Sequence, residues 1–197
     1  NQDFDGKTNL KDNIKWNFMF QYNSNPLIVD VINKYPEEVS WPNVCYNQWN
    51  DRLMCYMQNY TQHVNWNILS ANPLPGAITI LKNNEDKITD NILFNNNPDV
   101  FELLERRKDK INWEEANGFT SYGGSFPNVN TVKLYEKYYD EMKKYINWSL
   151  LSAVPEAIDL LEKNPDKICW ERFSMNPHSR AVEMLKKNKE KINWENL

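Results

Sequence analysis

The chain has 197 residues, 41% of them hydrophobic, and a formal net charge of −4. That is enough for one large domain or an elongated array with a real core. The acidic balance, with Lys and Arg scattered along the chain, argues against a nucleic-acid footprint. No apolar run approaches the ~20 residues of a membrane span, and the N-terminus lacks the charged-then-apolar pattern of a secretory signal.

Thirty asparagines against five glycines is an unusual balance. Two causes fit it: many short helices with many caps, because Asn favours caps and turns over helix interiors, or the coding bias of an A+T-rich genome. Cys45, Cys55 and Cys169 follow no metal-binding spacing, and an odd count without a signal peptide points to reduced thiols in the cytosol or inside a particle. Cys45 and Cys55, ten apart, could alternatively meet across a helix pair. The chain starts at Asn1 and stops in mid-pattern at Trp194 to Leu197; the expectation is that residues lie beyond one or both ends.

From the N-terminus onward one rule recurs: a β-branched residue, a spacer, then Trp. It covers Ile14-Lys15-Trp16, Val39-Ser40-Trp41, Val64-Asn65-Trp66, Ile111-Asn112-Trp113, Ile146-Asn147-Trp148, Ile168-Cys169-Trp170 and Ile192-Asn193-Trp194. Ile88-Thr89-Asp90 is a copy that has lost its Trp. Steps between successive anchors are 25, 25, 24, 23, 35, 22 and 24 residues. Residues 1–63 hold divergent copies, 64–116 regular ones, 117–145 an insertion and a longer helix, and 146–197 regular copies again.

The best copies overlay as WxxLSxNPxAIxLLxxNxxKIxW. In Asn25-Pro26, Asn72-Pro73, Asn97-Pro98 and Asn176-Pro177 a capping side chain precedes a proline tolerated at the first helical position, so a helix is predicted to start there. Ala157, Ile158 and Leu161 then form a one-sided apolar stripe. The short segment from Trp148 to Leu151 reads as a helix whose Trp plugs the core. A unit of about 23 residues cannot enclose a core alone and must stack on its neighbours. The fold class is therefore all-α: a single array over 1–197, a solenoid of about seven helix-pair repeats of 22–25 residues, one carrying an insertion, and elongated as a body.

The string from Ile146 through Asn147-Trp148-Ser149-Leu150-Leu151-Ser152 and Pro155-Glu156-Ala157-Ile158 to Ile168 resembles the short Trp- and Asn-Pro-containing repeats of giant nucleocytoplasmic DNA virus proteins. The likeness is close there and over 170–194, moderate over 64–113, and loose before residue 64, where Asn47-Gln48-Trp49-Asn50 replaces the Asn-Pro start. It implies a viral setting and a helical array, and it carries no catalytic residues with it.

Candidate sites are few. Trp16, Trp41, Trp66, Trp113, Trp148, Trp170 and Trp194, phased with the repeat, read as structural anchors and not as ligand-stacking rings. His63 and His178 lack the spacing of a zinc site. The run from Lys186 to Lys191 suits a helix C-terminus, where cations offset the dipole. Asn59-Tyr60-Thr61 and Asn147-Trp148-Ser149 match the glycosylation pattern by accident. No phosphate loop, dinucleotide turn, nucleophile elbow or HExxH helix occurs, so no catalytic, cofactor or metal residue is expected. The insertion holds three of the five glycines and the aromatics Phe119, Tyr122 and Phe126, followed by Tyr135, Tyr138 and Tyr139. Either the loop covers its own array or these aromatics form a protein-binding face, since Tyr is enriched in interface cores.

The function expected is therefore structural: a non-enzymatic virion component, such as a minor capsid protein assembled in the host cytoplasm, that bridges or braces other capsid proteins. The alternative is a soluble, ankyrin-like adapter that recruits a host protein.

Overall fold

The structure is a computed structural model that describes residues 14–116 and 127–196. It is all-helical, with no strand among the described residues. The chain divides into two compact units, Asn1–Lys87 and Ile88–Leu197.

In the first unit, α1 (Trp16–Tyr22), α3 (Trp41–Tyr46) and α5 (Trp66–Ser70) each begin on an anchor Trp. They alternate with α2 (Ile28–Lys34), α4 (Asp51–Met57) and α6 (Pro75–Lys82). Like elements stack on like: α1 on α3 and α3 on α5 form one row, α2 on α4 and α4 on α6 the other. The second unit holds α7 (Phe101–Arg107), α8 (Trp113–Ala116), α9 (Val129–Lys137), α10 (Tyr139–Met142), α11 (Trp148–Ser152), α12 (Ile158–Lys163), α13 (Trp170–Phe173) and α14 (Ser179–Lys187), with α7 stacked on α9 and α11 on α13.

The recurring Ile-Asn-Trp triplet has a mechanical explanation. Val64, Ile88, Ile111, Ile146 and Ile168 are buried and pin the chain to the core. The next residue is the N-cap: Asn65 Oδ1 accepts from the Ile68 N–H at 3.2 Å and Asn147 Oδ1 from the Leu150 N–H at 3.1 Å, satisfying a donor that has no partner within the helix. Trp is then the first helical residue. Three positions on lies the fully buried side chain, Val44, Leu69, Leu151 or Phe173, which places one turn of the short helix on the core.

A second asparagine does something local rules do not anticipate. Asn72 is buried, and the helix begins three residues later at Pro75 with Leu74 at its N-cap; likewise α14 starts at Ser179, three residues after Asn176. Only Asn97 caps a 3₁₀ turn directly, accepting from the Asp99 N–H at 2.9 Å. The expectation of a helix starting at every Asn-Pro is therefore corrected. Instead, Asn72 Oδ1 accepts from the Leu74 N–H, closing a local turn, while its Nδ2 donates to the carbonyls of Cys45 and Asn47, both at 2.8 Å, one repeat earlier. Asn47 does the same to Phe20 and Asn23, Asn128 to Leu93 and Asn95, and Asn176 to Ser152 and Val154. A carboxamide suits the position because it accepts locally and donates twice at a distance. These side chains form a ladder within each unit, crosslinking the loops of successive repeats through their backbone carbonyls.

A third asparagine closes the second helix: Asn84, Asn164 and Asn188 each donate from Nδ2 to the carbonyl four residues back, at 2.8 Å. The Asn excess thus has defined structural uses at three positions of the repeat. The serine after the buried residue also bridges repeats. Ser152 Oγ donates to the Trp148 carbonyl at 2.7 Å and accepts from the Cys169 N–H at 2.9 Å; Ser174 does the same with Trp170 and Asn193. In the divergent first unit Cys45 Sγ takes this place, accepting from the Asn65 N–H at 3.4 Å.

Candidate functional site

The anchor tryptophans are not uniform core plugs. Trp113 is 3% exposed, whereas Trp194 is 70% exposed and Trp16, Trp41, Trp66, Trp148 and Trp170 are half-buried. The reason is their place at the first helical position: the ring leans on the turn that closes its repeat instead of entering the core. Trp16 meets Tyr35 at 5.6 Å and Trp170 is covered by the Lys191 ammonium at 4.6 Å, a cation over the electron-rich face. Trp113 also donates from Nε1 to the Lys108 carbonyl at 2.8 Å, so its one polar atom is satisfied and the ring can be buried.

Of the aromatics assigned to a protein-binding face, Phe119, Tyr122 and Phe126 lie outside the described residues. Tyr135 is corrected: at 1% exposure it belongs to the core, against Trp113 at 5.9 Å, and burial pushes its hydroxyl pKa well up. Helical phase places it there, since Thr131, Val132 and Tyr135 lie on one stripe of α9. Tyr138 and Tyr139 are half-buried, and the break after Lys137 turns them in different directions. The Tyr138 hydroxyl donates to Glu105 on α7, and the Tyr139 hydroxyl donates to Asn164 Oδ1 at 2.6 Å, beyond the end of α12.

Around Tyr138 the structure assembles a mixed-charge surface from α7, α9 and α10. Lys137 pairs with Glu105; Lys108 bonds Glu141 at 2.8 Å and Asp109 at 3.0 Å. The ammonium groups of Lys108 and Lys137 lie 5.0 and 5.5 Å from the Tyr138 ring centre. Hydrogen bonds from Lys137 and Tyr138 hold the Glu105 carboxyl below the usual range, and the bond to Glu105 raises Tyr138 in turn. Every shift here has a structural partner as its cause, and none leaves a base poised for proton transfer. A comparable clamp joins α12 to α14, where Arg180 pairs with Asp159 and with Glu162 at 2.9 Å.

The first unit has an aromatic surface that sequence reasoning missed. Tyr56 and Tyr60 stack at 5.0 Å, Tyr60 on Trp41 at 5.2 Å, and His63 lies nearly parallel to Trp41 at 4.8 Å. The spacing of Tyr56 and Tyr60, one helical turn apart, was the available signal. Trp49, outside the repeat rule, is 62% exposed. Cys45, Cys55 and Cys169 are free thiols, and burial raises the Cys45 pKa to about 11. Among the described residues no cluster of His, Cys, Asp and Glu is placed to hold a metal ion, and no helix is long and apolar enough to cross a membrane.

The fold and its surfaces define a helical repeat protein. Comparison with protein-family models, curated proteins and solved structures gives no match.

Proposed function

We propose that the chain is a non-enzymatic, protein-binding structural component: a minor capsid protein, or another virion protein, of a large DNA virus that bridges or braces other capsid proteins. One observation carries this reading. The polar residues that recur in the repeat, its cap, ladder and closing asparagines and its bridging serine, are taken up in hydrogen bonds within and between repeats. What varies from repeat to repeat stays at the surface, from the Lys137 and Tyr138 cluster to the Arg180 clamp. A regular frame with a changing surface suits extended contact with other proteins. The viral setting rests on the sequence resemblance alone.

Quantitative mass spectrometry of purified virions tests the proposal. A fixed ratio to the major capsid protein is expected. Absence from particles, with recovery from infected-cell cytosol bound to a host protein, would replace it with the adapter reading.

A further inference from the structure

The asparagine ladder of the second unit is interrupted once. At Asn128 and Asn176 the amide nitrogen lies 2.8–3.2 Å from two carbonyl oxygens of the preceding repeat. In the repeat that begins with Trp148 the corresponding residue is Val154, which has no side-chain donor to send back towards Asn128. The structure opens at this point: a cleft of about 360 Å³ is lined by Asn96, Pro127, Asn128, Val154, Pro155 and Glu156, among others.

The chemistry of the cleft is one-sided. The Asn128 carbonyl accepts from the Val132 N–H at 2.9 Å and keeps a second lone pair. A ladder carbonyl can serve two donors, as Val154 does in accepting from the Ala157 N–H at 3.1 Å and from Asn176 Nδ2 at 3.0 Å. No Lys or Arg lines the cleft; its one charge is the exposed Glu156 carboxylate, which makes no ion pair among the described residues. The site thus combines a carbonyl short of a donor with an uncompensated negative charge. A planar guanidinium, with a positive charge and several N–H groups in a fixed fork, carries the chemistry that each of these groups lacks.

We propose that this cleft receives an arginine side chain of a partner protein, which supplies the donor that Val154 lacks and pairs with Glu156. The proposal rests on the protein-binding reading only for the source of the arginine. Its test is an amide NMR titration of the full chain with N-acetyl-arginine N-methylamide in the millimolar range. Saturable shifts at the Asn128, Val154 and Glu156 amides are expected, with the Asn176 seam unmoved. Glu156→Gln should weaken binding at least tenfold, and Val154→Asn, which restores the ladder donor, should abolish it. Should Val154→Asn fail to fold, Val154→Leu fills the same space without a donor and should also block binding. Three outcomes overturn the proposal: no saturable shift, equal binding by Glu156→Gln, or equal affinity for the neutral N-acetyl-glutamine N-methylamide. A flat titration would leave the particle measurement untouched, and absence from particles would leave the cleft chemistry untouched.

Discussion

Gly76 marks the closest approach of two helices in the first unit, and replacing it with alanine should be costly. It is the second residue of α6, where a glycine is otherwise a weak choice and alanine would be favoured by up to about 1 kcal/mol. Yet a Cβ there would lie 2.8 Å from Met54 Cβ, 2.9 Å from Asp51 Oδ1 and 2.9 Å from the Cys55 backbone nitrogen. Two of these atoms are backbone or directly attached to it, so no rotamer change removes them and α4 must move away from α6. Overpacking of this kind costs about 1–3 kcal/mol. The same movement stretches the 2.6 Å bond from the Gly76 N–H to the Asp51 carboxylate, a charge-assisted bond worth about 1.5–3 kcal/mol. After a propensity gain of about 1 kcal/mol the net loss is about 1.5–5 kcal/mol. Urea denaturation of Gly76→Ala, with exposed Thr79→Ala as the control, should show a lower midpoint at unchanged slope. A midpoint within error of wild type would mean that α4 and α6 are not in close backbone contact.

Two further outcomes follow from burial. Trp113→Ala should destabilise by about 3–5 kcal/mol, as truncation of a buried aromatic does, and Trp148→Ala by clearly less because its ring is half-buried; equal losses in denaturant melts would contradict the ranking. In the native chain Cys45 should react with a thiol reagent far more slowly than exposed Cys55. Burial holds its folded pKa at about 11, against an ordinary value of 9.0, so the unfolded chain releases the proton more readily; its contribution to stability is complete below pH ~9 and is lost as pH rises towards ~11. Stability that did not fall across that window more in wild type than in Cys45→Ser would count against it.

Much of the frame was legible in the sequence. The Trp rule locates the first residue of α1, α3, α5, α8, α11 and α13, because the pinning Ile, the cap and the helix start are adjacent in the chain. The role of Asn72 and Asn176 was not, because the carbonyls that accept from their side chains lie 22–27 residues away and local capping rules see only near neighbours. Tyr135 was misassigned by counting aromatics without helical phase. The cleft at Val154 required the ladder to be known before a missing rung could be noticed.

The asparagine ladder is the central bond between successive repeats. Equilibrium unfolding of Asn72→Ala and Asn72→Asp tests it directly. Alanine removes two donated bonds and one accepted bond at a buried site, about 3 kcal/mol at roughly 1 kcal/mol each. Aspartate keeps the shape but turns a carboxylate onto two carbonyl oxygens, so at pH 7 it should cost at least as much. Losses of that size in both variants are the expected result; losses below about 1 kcal/mol in both would show that the repeats hold together without the ladder.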